Sequence, residues 1–309
     1  MLREKIINCE AGILTYGLTP PKYNNSQEKI AEIAQKQLER IKKLPLDGLI
    51  LYDIQDEADR VAADRPFPFM KTVDPDVYAS EYLQELDIPK IIYRCVGKYG
   101  KGELANWLKE DNGEDRFSVF VGASSREQKV SLTLPEAYHL CQEVGSKVML
   151  GGVVIPERHS KYGDEHKRIL RKRGQGCQFF VSQAVYNIEA AKNFLSEYYY
   201  FCQREERVMA PILMNLTPCG SIKTLEFMKW LGINIPKWLE NDLMHSEDIL
   251  DKSVELSKKI FAELYEFALA KNIPLGCSIE SVSTRKVEIE ASVELARSVS
   301  SLFASKQKK

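Results

Sequence analysis

The chain lacks any run of the roughly 20 apolar residues that crossing a bilayer takes, and its longest apolar stretches are strand-sized. Its first residues, Met1-Leu2-Arg3-Glu4-Lys5, are mixed in charge and lead towards a strand. That is not the form of a signal peptide, so a cytoplasmic protein is expected. Net charge is nearly absent, since 43 Lys and Arg stand against 44 Asp and Glu. No global field therefore argues for nucleic acid or an anionic membrane as partner. No Cys-x-x-Cys pair occurs among Cys9, Cys95, Cys141, Cys177, Cys202, Cys219 and Cys277, and the count is odd. Disulfide frameworks and zinc spacings are thereby disfavoured, and reduced, mostly buried cysteines are expected. Cys95 and Cys219 lie near predicted strand ends but have no adjacent histidine to activate a thiol. The four histidines include no pair at ligand spacing, so no metal is expected. There is no Walker A sequence, no Gly-x-Gly-x-x-Gly in a strand–helix turn and no Gly-x-Ser-x-Gly elbow, which leaves little support for the nucleotide and hydrolase classes they mark. Gly97-Lys98-Tyr99-Gly100-Lys101-Gly102 is glycine-rich and basic but has neither phosphate-loop spacing. Linkers, internal repeats and low-complexity segments are also missing.

What is present is alternation. A chain of 309 residues can form one large barrel or two smaller domains, and either buries a sizeable core. Strand-length apolar runs fall at 12–16, 48–52, 90–95, 117–121, 147–155, 178–181, 210–216 and 275–279. Helical patterns fall between them, at 27–43, 76–86, 102–109, 134–144, 161–173, 188–203, 222–231 and 246–271, with a last one at 284–303. In the first, Ile30, Ile33, Ala34, Leu38 and Ile41 form a helical stripe. Asn187 reads as an N-cap and Gly232 as a stop. Eight strands alternating with helices predict a single-domain (β/α)8 barrel, an α/β TIM barrel, over 1–309 with a polar tail at 305–309. Residues 53–75, with Arg65-Pro66-Phe67-Pro68-Phe69, read as an irregular insertion after the second strand. Such a loop either shapes a pocket or packs on its own aromatics.

In a closed barrel the carboxyl ends of the strands converge on one mouth. Those ends carry Tyr52-Asp53-Ile54-Gln55-Asp56, Tyr93-Arg94-Cys95, Gly122-Ala123-Ser124, Glu157-Arg158-His159, Gln183, Asn215-Leu216-Thr217-Pro218 and Glu280. Gln183 is the most pointed, because an amide offers donors and an acceptor together and so matches a pterin or nicotinamide edge. The same amide would also serve to satisfy loop backbone. His159 is the one histidine at a predicted strand end, suited to an anionic cofactor or acid–base work, or to neither. The basic helix at 161–173 reads as a solvated face from which one or two cations reach a phosphate or carboxylate.

Taken in order, these segments resemble the methylenetetrahydrofolate reductase family, most clearly from 151 to 285. Ile155-Pro156-Glu157-Arg158-His159 is similar to the family's Tyr-Pro-Glu-x-His, and Lys172 falls in its basic stretch before Gly176. Ser182-Gln183-Ala184-Val185-Tyr186-Asn187 resembles its Thr-Gln followed by aromatics and Asp. Residues 211–231, Ile235-Pro236-Lys237-Trp238-Leu239, Val282-Ser283-Thr284-Arg285 and Leu18-Thr19-Pro20-Pro21-Lys22 look like further family segments. The resemblance implies a barrel that binds reduced folate and reduces 5,10-methylene-tetrahydrofolate to 5-methyl-tetrahydrofolate in one-carbon metabolism, with NAD(P)H as electron donor. It implies substrate binding by Gln183, Tyr186, Asn215, Ile222 and Arg285, and cofactor binding by Tyr93, Ser124, Glu157, His159 and Lys172.

Departures accompany the likeness. The family's acid before Phe-Phe-Pro-Pro falls on Gly17, its Arg-Gly-Asp is Gly122-Ala123-Ser124, and its glycine-rich loop is Tyr52-Asp53-Ile54-Gln55-Asp56. A missing general acid costs about 10²–10⁴ in rate, and a missing loop removes donors that would hold FAD or FMN. Hydride would then pass directly from NAD(P)H, with Asp53, Asp56 or Glu280 as candidates for a relocated catalytic carboxylate. The alternative is a folate-binding protein without reductase activity, a carrier, sensor or partner subunit. A barrel enzyme on an unrelated substrate, such as a methyl-transfer protein, is the third reading. A homo-oligomer or an enzyme partner is compatible with each.

Overall fold

The computed structural model describes residues 1–57, 63–110, 115–123 and 128–307. Eight parallel strands close into a barrel in sequence order: β1 (Leu14–Leu18), β2 (Gly48–Leu51), β3 (Lys90–Cys95), β4 (Phe117–Val121), β5 (Met149–Val154), β6 (Cys177–Ala184), β7 (Ile212–Leu216) and β8 (Leu275–Glu280). Closure is made by β8 on β1, with Leu14 opposite Cys277 and Gly17 opposite Glu280. Each strand is buried on both faces, which is why the sequence reads as continuous apolar runs rather than as alternation.

Two packed layers follow from the pleat. Ile50, Ile91, Phe117, Val119, Phe179, Val181 and Leu213 fill the barrel interior. Outward residues such as Leu49, Leu51, Phe120, Phe180 and Ile212 pack under the helices. The helices are α1 (Leu2–Ile7), α2 (Gln27–Ile41), α3 (Pro75–Tyr82), α4 (Lys101–Lys109), α5 (Leu134–Glu143), α6 (Pro156–Tyr162), α7 (Glu165–Gly174), α8 (Ile188–Arg204), α9 (Ile222–Trp230), α10 (Lys237–Met244), α11 (Ile249–Leu269) and α12 (Lys286–Gln307). α2 buries Ile30, Ala34, Leu38 and Ile41, and Asn187 caps α8 through the Ala190 amide. None of the described helices is long and apolar enough to cross a membrane. All seven cysteines are free and six are buried.

Three of the local features that differ from expectation bear on the barrel and its mouth. Residues 2–7 form a helix rather than running into a strand. Leu2 and Ile6, one turn apart, point into the barrel interior from its amino-terminal end, each burial contributing about 1.5–3 kcal/mol. The basic helix expected at 161–173 is two helices, because Gly163 takes a left-handed conformation (φ 63°) that ends α6. β6 runs on to Ala184, so Gln183 lies within the strand. Pairing of β6 with β7 slips between Val181 and Ala184. Such irregularities re-aim side chains near sites, and this one occurs at Gln183.

Candidate functional site

The site grows out of the last inward positions of the strands, where the interior stops being apolar. Tyr52 and Tyr93 meet edge to face, ring centroids 4.8 Å apart. Across from them, the Asn215 side-chain amide donates to Glu280 Oε1 at 2.9 Å and to the Tyr52 hydroxyl at 3.3 Å. Ser182 orients that asparagine: its hydroxyl accepts from the Asn215 backbone N–H at 2.8 Å and donates to the Gln183 carbonyl at 2.7 Å. The ends of β2, β3, β7 and β8 thus each give one side chain to a small polar floor, which Ser182 of β6 braces.

Two features make this floor chemically competent. Burial pushes the Glu280 carboxyl up, while the neighbouring Tyr52 phenol and the Asn215 amide that donates to it pull it partly back. The Tyr52 and Tyr93 hydroxyls are driven well up by burial and by the Glu280 charge. Asn215 Oδ1 is buried and accepts no hydrogen bond, and the hydroxyls of Thr15 and Ser278 beneath it are unmatched too. Buried acceptors are ordinarily satisfied, so a floor that leaves them unmatched suits a polar occupant. A raised carboxyl beside an unmatched amide oxygen can take a pair of donors from a ligand, or give it a proton.

Gly17 explains how the aromatic part of the floor fits. A Cβ at that position would come within 2.6 Å of Tyr52 Cε2 and 2.8 Å of its hydroxyl. The Tyr52 ring therefore lies where a side chain at 17 would stand. Sequence reasoning treated the glycine and the tyrosine as separate departures. The available signal was the glycine itself, since a strand glycine marks close approach of a neighbour.

The remaining expected residues are placed as follows. Gln183 is half-buried and donates to the Leu231 carbonyl at 2.9 Å, so its oxygen stays uncommitted. Ile222 is 52% exposed at the start of α9, and Arg285 reaches the same rim by donating to the Gly220 carbonyl and to buried Glu288, both at 2.9 Å. Tyr186 is buried beneath α9 to α11 and donates to the Thr217 carbonyl, which makes it a packing residue. Asp53 is an ionic hub: it accepts from the Cys95 N–H at 2.8 Å, from the Tyr99 hydroxyl at 2.9 Å and from Lys98. That commits its charge to holding the β2 and β3 ends together, and commits the glycine-rich 97–102 segment with it. Asp56 is exposed. Ser124 lies outside the described residues.

Glu157 stands apart. Both its oxygens are buried without a hydrogen-bond partner. Burial, with the Glu165 carboxylate nearby, pushes its carboxyl up to about 7. The folded-state value lies above the unfolded one, so wild-type stability falls as pH rises from the ordinary carboxylate range towards 7. Glu157→Gln is therefore expected to match wild type below about pH 4.5 and to exceed it by up to ~3 kcal/mol above pH 7. Urea unfolding across this range checks it; a stability difference independent of pH would contradict the assignment.

A cavity of about 550 Å³ opens at the other end of the barrel, beside Asp47, Asp87, Lys90, Trp107 and Arg116. Two of its polar groups serve the fold: Asp47 pairs with Lys5 and Arg116 donates to the Trp107 carbonyl. Barrel chemistry also belongs to the opposite face.

No protein-family model matches the chain, and none of the curated proteins does. Among solved structures, an uncharacterized protein from Clostridium thermocellum that binds two copies of 5-methyl-5,6,7,8-tetrahydrofolic acid is 56% identical, with 98% of this chain and 100% of that one covered and a TM-score of 0.89. The chain belongs to the family of that clostridial protein. Structures of 2,3-dimethylmalate lyase (12% identical, 100% and 98% covered, TM-score 0.42) and oxaloacetate acetylhydrolase (15%, 76% and 77%, 0.43) are too distant to carry an argument.

Two of the cofactor-binding positions implied by the resemblance, Lys172 and His159, are engaged within the fold. Lys172 extends from α7 along the outer face of β5 and donates to the Val153 carbonyl. The His159 ring is buried against His166 and Phe194, at 5.4 and 6.1 Å between centroids.

Proposed function

We propose that this chain binds a reduced folate, 5-methyl-tetrahydrofolate or a close one-carbon relative, at the carboxyl-end mouth of the barrel. One observation carries the reading: 56% identity over almost the whole chain to a protein that binds two copies of that ligand. The floor supports it. A reduced pterin offers amino and ring N–H donors along its pyrimidine edge, and Glu280 with Asn215 Oδ1 offers adjacent acceptors. Tyr52 and Tyr93 supply aromatic surface for the bicyclic ring. Gln183 stands to one side with an uncommitted oxygen, and Ile222 and Arg285 stand at the rim where the p-aminobenzoylglutamate would leave.

A second reading is reduction of 5,10-methylene-tetrahydrofolate, as the resemblance to the methylenetetrahydrofolate reductase family implies. It is favoured by Glu280, which pairs in register with Gly17, the position of that family's acid, and whose carboxyl is raised by burial. NAD(P)H would supply the hydride. Glu280 would hold a proton at the floor, Asn215 would orient it, and the tyrosine pair would keep water from that side.

Calorimetry with 5-methyl-tetrahydrofolate tests the binding, and NADH or NADPH oxidation with 5,10-methylene-tetrahydrofolate tests the chemistry. Binding with turnover is the reductase outcome. Binding without turnover identifies a carrier, sensor or partner subunit. No heat of binding would overturn both.

A further inference from the structure

Residues 63–69 dock on α9 through one arginine. The Arg65 guanidinium lies over Trp230 at 5.0 Å, Phe69 at 5.3 Å and Phe227 at 5.5 Å from the ring centroids. The indole N–H of Trp230 donates to the Ala63 carbonyl at 3.0 Å, and Phe67 meets Phe227 edge to face at 5.2 Å. Lys223, one turn away on α9, lies 4.6 Å from the Phe67 ring centre. This cluster borders the floor already described, because Leu231, the residue after Trp230, supplies the carbonyl that Gln183 binds.

Aromatic faces hold a guanidinium in place but leave its in-plane N–H donors free. Arg65 Nε and Nη1 are buried and have no hydrogen-bond partner. Asp56 and Glu57 contribute charge nearby, while those two nitrogens make no hydrogen bond. A guanidinium held on aromatic rings with unmatched donors, in a cluster that also seats Lys223 over Phe67, suits a carboxylate.

We propose that Arg65, supported by Lys223, is the carboxylate clamp for the glutamyl part of the folate, on the α9 side of the mouth. The inference rests on the folate reading and extends it: the ligand class is a glutamylated pterin, and additional glutamates add to affinity through Lys223.

The test compares 5-methyl-tetrahydrofolate, its triglutamate and methyl-tetrahydropterin, which has no tail, by calorimetry on wild type, Arg65→Met, Arg65→Lys and Lys223→Ala. Methionine keeps the stack on Trp230 without the fork, and lysine keeps the charge without it. Arg65→Met is expected to weaken the glutamylated ligands about 10–100-fold, with Arg65→Lys between it and wild type. Methyl-tetrahydropterin should bind all four proteins alike. Lys223→Ala should narrow the gap between tri- and monoglutamate. Equal affinity of Arg65→Met and wild type for the glutamylated ligands would overturn the clamp while leaving the folate site standing. An equal loss for the tail-free pterin would also overturn it, showing that Arg65 acts by shaping the loop. Wild type that binds none of the three removes the folate reading and the clamp together.

Discussion

Glu280→Gln loses affinity for 5-methyl-tetrahydrofolate by about 10–100-fold while the protein becomes no less stable, and at neutral pH and above more stable. The affinity loss follows from replacing a charge-assisted acceptor by a neutral amide that offers one acceptor and two donors to a donor-rich pterin edge. The stability gain follows from the sign of the shift. Burial raises the Glu280 carboxyl in the folded protein. The unfolded chain therefore releases its proton at lower pH, and wild type loses stability as pH rises through that interval. Glutamine has no such dependence. Residues that cost stability and supply function mark active sites. Calorimetry and urea unfolding at two pH values read both halves. A variant that binds as wild type does, or one destabilised at high pH, would remove Glu280 from the site.

Gly17→Ala is the second large effect. The added Cβ meets the Tyr52 ring at 2.6 Å, and the main chain at 17 is fixed on both sides by pairing with β2 and β8. The ring must then leave its place and its hydrogen bond from Asn215. Overpacking with loss of that bond is expected to cost about 2–4 kcal/mol, with folate binding weakened alongside. The cost should largely vanish in a Tyr52→Ala background, a coupling read by a double-mutant cycle. An additive cycle would mean that Tyr52 does not occupy the space above Gly17.

The barrel was legible because its signal is local and repeated. Runs such as 90–95 and 117–121 coincide with β3 and β4, and the order of strands follows from alternation alone. Asn215, Gln183 and Glu280 were legible as strand-end polar residues. What escaped depends on contacts far apart in the chain. The packing of Leu2 and Ile6 inside the barrel cannot be read from a six-residue segment with two apolar positions a turn apart. Nor does the sequence show that Tyr52 covers Gly17, 35 positions away, or that Arg65 stacks on Trp230. Lys172 is a different case. The resemblance gave it a cofactor-binding role, whereas from α7 its long side chain donates to a β5 carbonyl on the outer face.

The most direct measurement is a crystal structure of the protein with 5-methyl-tetrahydrofolate. The pterin should lie over Tyr52 and Tyr93, with its amino edge within about 3 Å of Glu280 and Asn215 Oδ1. A pterin held elsewhere, for instance beside Asp87 and Trp107 at the amino-terminal end of the barrel, would contradict the assignment of the site.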